Sequence, residues 1–152
     1  MVSFAVGMNK LSKGLIGVSS LGMALILTRF AVSKLAGWEI SIKAFIEMAQ
    51  PLGIDPTLFR VSTGIVLLLV VLAYAATALY SVQEKRLAPR IKLNYSKFAS
   101  LSNLAGLLTM AGALLAEFYL RLEPKWLLVY IAIGIILFSS INIYLLNKKK
   151  YD

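Results

Sequence analysis

Three charged residues near the ends of two apolar segments are the candidates for ligand chemistry: Arg29, Lys34 and Glu117. Arg29 and Lys34 follow the apolar run GLIGVSSLGMALIL, and Glu117 lies near the end of GLLTMAGALLAEFYL. A charge inside an apolar span is costly, so such residues usually face the protein interior and pair with one another. Since both segments are expected to run in the same direction, we predict an interior Arg29–Glu117 ion pair, bidentate where geometry allows.

This pair has three possible roles, which the residues alone leave open. It can staple two helices together, form a charged pocket for a quinone headgroup, an anionic substrate or a lipid, or contact a partner protein. Lys34 lies about 140° from Arg29 on a helical wheel. Its ammonium can therefore extend to the outer headgroups, or turn into the same cavity if the helix unwinds near Gly37.

Composition excludes several kinds of site. The chain has no cysteine and no histidine, which removes disulfides, thiol redox chemistry, iron–sulfur clusters, haem ligation by these residues and ordinary zinc sites. No metal site is expected, and no P-loop, GxSxG, HExxH or EF-hand motif is present. The net charge of +9 is explained by basic residues in the loops that flank the membrane spans. Nucleic-acid binding is not expected, because the sequence outside the apolar blocks has no run of basic residues combined with aromatic residues that could stack on bases.

Of the 152 residues of the chain, 59% are apolar, compared with roughly 45–50% in soluble domains. Most of the apolar residues fall in four blocks that are almost free of charge. They predict an all-α integral membrane four-helix bundle, forming a single transmembrane domain over residues 1–152. The first block is treated as a retained helix and not as a cleaved signal. Pro56 and Pro124 are expected in the first turns of the second and fourth spans. The predicted spans are 14–36, 57–82, 96–120 and 124–147.

Orientation follows from the basic residues of the short loops. The N-terminal segment, the loop between spans two and three and the C-terminal tail NKKKYD hold most of the Lys and Arg residues. Both termini are therefore predicted to be cytoplasmic, in a prokaryotic inner membrane. The aromatic residues agree with this orientation as two interfacial belts: Trp38, Trp126 and Tyr119 on the outer side, and Tyr80, Tyr95 and Tyr144 on the inner side.

The outer segment GWEISIKAFIEMAQPLGIDP predicts a short amphipathic helix between spans one and two. Its apolar face would hold Ile42, Phe45, Ile46 and Ala49, with a Glu39–Lys43–Glu47 charge ladder elsewhere. It is either a plain connecting helix or a lid over an outward-facing pocket. Closer to the cytoplasmic side, polar residues are expected to hydrogen-bond between helices: Ser100, Ser102, Asn103, Ser139, Ser140 and Asn142, with Tyr74 and Thr77.

The motifs LILTRF, AVSKLAGW and FIEMAQPLGIDP resemble those of the DoxX-like family of small four-helix membrane proteins. The likeness covers about 21–80, and the span count and loop lengths agree over the whole chain. Where the family often has a glycine before the lysine and an acidic residue early in span two, this chain has Ala31 and Thr63. The resemblance implies a relation to DoxD-type subunits of thiosulfate:quinone oxidoreductases, to redox-associated accessory subunits and to membrane chaperones.

Two functions are carried forward. The first is a DoxX-like, redox-associated membrane subunit with an outer-leaflet pocket at Arg29, Lys34 and Glu117 for a quinone or small anionic ligand. It would have no covalently bound cofactor and would receive electrons from partner subunits. The second is a non-catalytic accessory or assembly subunit that binds the helices of a larger complex through Gly106, Gly112 and Ala116. A small transporter is a third possibility, although the chain lacks paired inverted repeats with broken helices.

Overall fold

The computed structural model describes residues 8–148, which form five α-helices and one short 3-10 turn, with no strand in that range. Four of the helices are long and apolar enough to cross a membrane, and the fifth is a short helix between the first two. The all-α four-helix bundle with an intervening amphipathic helix is thus confirmed. The elements are α1 (Lys10–Leu35), α2 (Glu39–Ala49), the 3-10 turn (Gln50–Leu52), α3 (Pro56–Leu87), α4 (Tyr95–Tyr119) and α5 (Trp126–Lys148).

Side-chain caps set the starts of three helices. Asn9 caps α1 by accepting from the backbone N–H of Leu11 at 3.4 Å, which starts the helix at Lys10 and not at 14 as predicted. The Asp55 carboxylate accepts from Leu58 N at 2.6 Å, and Pro56 occupies the first turn of α3 as predicted. Asn94 caps α4 in the same way, through Lys97 N at 3.0 Å. Each cap satisfies a donor that has no partner within its helix.

Two other boundaries differ from the prediction. Helix α3 continues to Leu87, beyond the predicted end at 82, with a kink at Gln83 where φ is −112° and ψ is 30°. Pro124 does not open the fourth span, because α5 begins at Trp126. The carbonyl of Lys125 accepts the first helical bonds instead, from Leu128 N at 2.9 Å and Val129 N at 3.1 Å.

The helices pack as two antiparallel pairs. Helix α1 lies along α3 and α4 lies along α5, while α3 and α4 join the pairs and α1 contacts α5 only sparsely. We call the end with the start of α1 and the α3–α4 connection the basic end, and the opposite end, crossed by α2, the α2 end. At the basic end, Lys13 of α1 forms an ion pair with Glu84 of α3.

Most of the surface of the four long helices is apolar. Only 28–39% of the residues in the most apolar stretch of each are buried inside the bundle. Large side chains such as Val18, Leu69 and Leu137 face outward. A surface of this kind belongs in a bilayer, and the protein is therefore an integral membrane protein. Cytoplasmic termini remain a prediction, and Lys149 and Lys150 lie outside the described residues.

The inner aromatic belt is only partly present. Tyr144 is exposed, but Tyr80 and Tyr95 are 1% and 3% exposed and stack edge-on, with ring centroids 5.5 Å apart. The Tyr80 hydroxyl donates to the carbonyl of Leu93 at 3.0 Å. These two tyrosines are core residues that close the basic end, because the α3–α4 connection folds back over them. Trp38, Tyr119 and Trp126 are exposed at the α2 end, as predicted for an interfacial belt.

A polar network joins the helices halfway along the bundle. Asn142 of α5 donates to Ser19 Oγ of α1 at 2.9 Å and to Asn103 Oδ1 of α4 at 3.0 Å. The hydroxyls of Tyr74 in α3 and Ser139 in α5 are 2.7 Å apart. These contacts confirm the predicted inter-helix bonding for the two asparagines, Tyr74 and Ser139. The hydroxyls of Ser102, Ser140 and Thr77 instead bond to carbonyls of their own helices.

Replacing Asn142 with leucine should lower the free energy of unfolding by about 0.6–1.7 kcal/mol, between the average and the largest value measured for hydrogen bonds between membrane helices. The apolar side chain leaves Asn103 Oδ1 without its inter-helix donor. Unfolding by SDS titration in mixed micelles measures the loss. Ser140→Ala is the matched control, because its hydroxyl bonds only within α5. Equal stability of Asn142→Leu and wild type would show that the network does not hold the helices together.

Candidate ligand-binding cavity

A cavity of about 900 Å³ lies inside the α2 end, lined by all five helices. Its volume falls in the upper part of the usual range for small-molecule sites. The structure brings Arg29, Lys34 and Glu117 together in its lining, along with Arg121 and Lys125. The three residues predicted from the sequence thus belong to one cavity.

A tight reversal after α1 brings the chain back over this cavity. Helix α1 ends at Leu35, and Gly37 follows with a φ of +69°, a left-handed conformation that glycine adopts without strain. The Arg60 guanidinium of α3 donates to the carbonyl of Lys34 and lies against Gly37. Trp38 N donates to the carbonyl of Ser33 at 3.0 Å. Carbonyls at the end of α1 are thereby satisfied, and the chain turns into α2.

Helix α2 lies across the mouth of the cavity. Its buried face consists of Ser41, Phe45, Met48 and Ala49. Phe45 packs edge-on against Phe59 of α3, with ring centroids 5.0 Å apart. Two residues of the predicted apolar face, Phe45 and Ala49, are buried, whereas Ile42 and Ile46 are 39% and 50% exposed, because the helix is turned so that its Ser41 and Met48 side also packs inward.

The far end of this cover is attached to the α4–α5 connection. Glu47 Oε1 accepts from the backbone N–H of Leu122 at 2.6 Å. Only the Glu39–Lys43 step of the predicted charge ladder forms an ion pair, at 2.7 Å and fully on the surface of α2. Glu47 thus bridges two elements across the cavity, and this geometry agrees with a lid more closely than with a plain connector.

Lys34 turns into the cavity. Its ammonium lies 5.8 Å from the ring centroid of Phe30 and 5.7 Å from that of Phe45, within the range of cation–π attraction. Helix α1 stays regular through Leu35, so no unwinding is needed for this orientation. Of the two alternatives drawn from the sequence, the structure takes the inward one.

The predicted Arg29–Glu117 ion pair is wrong. Glu117 accepts instead from Arg121 Nη1, at 3.1 Å and 3.2 Å to its two oxygens, and from the backbone N–H of Lys125 at 3.1 Å. No ion pair within 4.0 Å joins Arg29 to a carboxylate in the described part of the chain. The physical reason is distance: α1 and α4 occupy opposite corners of the bundle, with the cavity between them.

Arg121 is the main residue of this site that sequence reasoning missed. Its side chain is 8% exposed, and that of Glu117 is 9% exposed. The signal in the sequence is the spacing of four positions between the two residues, which lets Arg121, just past the end of α4, reach back to Glu117. Arg121 Nε is buried with no hydrogen-bond partner among the described residues.

The cavity carries an excess of positive charge. Four cationic residues line it, Arg29, Lys34, Arg121 and Lys125, against the single carboxylate of Glu117. That carboxylate already accepts three hydrogen bonds from Arg121 and Lys125. Arg29 is exposed on α1 at the rim, whereas Lys34 is partly buried inside. The free capacity of the site is therefore for a hydrogen-bond acceptor or an anion.

The small residues considered for docking a partner helix lie in two different places. Gly106 lies directly beneath the Tyr74 ring. Gly112 and Ala116 line the cavity.

No protein-family model, curated protein or solved structure matches this chain. The resemblance to DoxX-like proteins therefore stays a prediction that rests on the motifs quoted above. Functional inference depends on the geometry of the cavity.

Proposed function

We propose that the protein is an integral membrane subunit that binds the headgroup of a small anionic amphiphile in the cavity at its α2 end. The observation that supports this most strongly is the imbalance of charge, with four cationic residues and one engaged carboxylate around one space. The partly buried Lys34 and the buried Arg121 would attract an anion more strongly than the exposed Arg29 and Lys125, because attraction between charges is stronger away from water.

The orphan donor of Arg121 points to the same chemistry. A buried N–H without a partner costs free energy, and an acceptor group on a ligand removes that cost. Arg121 Nη1 donates to Glu117, whereas Nε is buried and has no partner among the described residues. The carboxylate of Glu117 then has a positioning role, since it holds the guanidinium in the lining of the cavity.

A quinone is the second candidate, and the aromatic lining favours it. Phe30, Phe45, Phe59 and Trp38 line the cavity and provide flat apolar surfaces against which a ring can pack. Quinone oxygens would accept from Lys34 and Arg121. Electrons would then come from a partner subunit, as expected for a redox-associated DoxX-like protein.

Removing positive charge from the cavity should weaken anion binding and spare a neutral probe. In Arg29→Gln and Lys34→Met variants, we expect the Kd for octyl sulfate to rise at least about tenfold, equivalent to about 1.4 kcal/mol. The Kd for octanol, which has no charge, should change by less than about twofold. Lys43→Met is the matched control, because Lys43 lies on the outer surface of α2 and pairs with Glu39.

Trp38 is a built-in reporter for this titration, since it lies at the cavity. The chain has two tryptophans, so a Trp126→Phe background leaves Trp38 as the sole indole. Unchanged octyl sulfate affinity in both cavity variants would refute the anion proposal. A short-chain ubiquinone that binds more tightly than octyl sulfate, and is weakened by Lys34→Met, would favour the quinone candidate instead.

A further inference from the structure

An apolar groove on the α3–α4 seam continues from the cavity toward the middle of the bundle. It has a volume of about 370 Å³ and is formed by α3 and α4 alone. Three of its residues, Val66, Leu108 and Thr109, also line the cavity. The remaining groove residues are Leu69, Val70, Ala73 and Ala105. Cavity and groove are therefore adjacent and share these three residues, with charged residues at the cavity end and apolar residues along the groove.

Small side chains and a fixed tyrosine explain why the groove exists. Ala73 on α3 and Ala105 on α4 leave space between the helices. Next to them in sequence, the Tyr74 ring packs directly onto Gly106, and its hydroxyl is bonded to Ser139 at 2.7 Å. The ring is fully buried between α3 and α4 at this level. Nothing about the groove requires a polar occupant.

The wall of the groove offers no unpaired hydroxyl. Thr109 Oγ1 donates to the carbonyl of Ala105 at 2.8 Å, so its methyl group is left to face neighbouring apolar atoms. Leu69 and Leu108, 61% and 62% exposed, form the edges that open to the membrane. From Val66 to Ala73 the groove follows about 10 Å of helix. An acyl chain fits this surface and can enter sideways from the bilayer.

The charged cavity and the apolar groove are arranged along the bundle in the same direction as the headgroup and chain of a lipid in one leaflet. The cations lie near the helix ends, where headgroups are found, and the groove leads from there toward the bilayer centre. We propose that the ligand is a free single-chain anionic amphiphile whose headgroup binds in the cavity and whose chain lies in the α3–α4 groove. This inference rests on the proposed function and adds the class of ligand and the path of its chain.

Photolabelling of the full-length protein in nanodiscs tests the path of the chain. The probe is a long-chain carboxylate with a diazirine near the chain end. We expect its cross-links to concentrate on groove residues such as Val70, Ala73 and Ala105. Filling the groove with Ala73→Leu or Ala105→Leu should reduce that labelling at least about tenfold, since burial of several methylene groups is lost.

The matched control is Ser140→Leu, which adds bulk to an exposed position of α5 outside the cavity and groove. It should leave labelling unchanged. Cross-links spread evenly over the outer faces of all four long helices would overturn the inference, as would labelling that is insensitive to the leucine variants. Stronger competition by two-chain phosphatidylglycerol than by the single-chain carboxylate would overturn the choice of ligand.

The outcome separates this inference from the proposed function. Octyl sulfate binding that depends on Arg29 and Lys34 but not on Ala73 or Ala105 would keep the anion site and reject the groove. Octyl sulfate binding that depends neither on Arg29 and Lys34 nor on Ala73 and Ala105 would reject the anion site as well.

Discussion

Glu117→Ala should lower the free energy of unfolding by about 3–5 kcal/mol, the largest effect expected for any single substitution discussed here. The side chain is 9% exposed, and its carboxylate accepts from Arg121 and from the backbone of Lys125. Its removal leaves the Arg121 guanidinium buried without a counter-charge and frees a backbone N–H at the start of α5. SDS titration in mixed micelles measures the change.

Two comparisons make this result specific. Glu39→Ala removes the carboxylate of a similar i, i+4 pair that is 81% exposed, so it should cost less than about 1 kcal/mol. Arg121→Ala in the Glu117→Ala background should recover part of the loss, because the unpaired charge is gone. A Glu117→Ala protein as stable as Glu39→Ala would mean that the buried pair does not hold the α2 end together.

Gly106→Ala should destabilise the bundle by about 1–3 kcal/mol through overpacking. A methyl group there would overlap Tyr74, with Cε2 only 2.8 Å away and both Cζ and the hydroxyl oxygen closer still. Tyr74 is 0% exposed and bonded to Ser139, so it cannot move aside without breaking that contact. The same unfolding titration measures the loss.

Gly112→Ala is the control on the same helix, because it is expected to leave the free energy of unfolding unchanged or to raise it. Nothing lies within 4 Å of the added methyl group at that position. Alanine is favoured over glycine in a helix by about 0.8–1.0 kcal/mol, so this variant should be as stable as wild type or more so. Equal destabilisation by both alanines would show that Tyr74 does not pack on Gly106 in the membrane-embedded protein.

Hydropathy alone could predict the bundle because membrane spans are defined by length and apolarity, both of which are local properties. The proline before the second span and the amphipathic pattern of α2 were local in the same way. The side of α2 that faces inward is not a local property, since it depends on the packing of Phe45 against Phe59 of α3. Likewise, Tyr80 and Tyr95 have the sequence positions of interfacial residues, but they are buried because the α3–α4 connection covers them.

The site was predicted as a set of residues but not as a set of contacts. Depth along the helices correctly grouped Arg29, Lys34 and Glu117, because it follows from span direction. Pairing depends on which helices are neighbours, and four spans allow more than one arrangement. Since α1 and α4 lie across the cavity, Glu117 pairs with nearby Arg121 instead of Arg29.

The inward turn of Lys34 also depended on distant parts of the chain. It lies against the ring of Phe45, eleven positions further along and on another helix. That contact exists because the reversal at Gly37, held by Arg60, folds α2 back over the end of α1. None of these partners is within the local pattern around Lys34.

Native mass spectrometry of the protein released from its own membrane tests the central claim most directly. Wild-type protein should carry a bound anionic amphiphile, and the Arg29→Gln/Lys34→Met double variant should lose it while the Lys43→Met control retains it. Identical adducts in all three proteins, or a wild-type adduct without an anionic group, would contradict an anion-binding cavity at the α2 end.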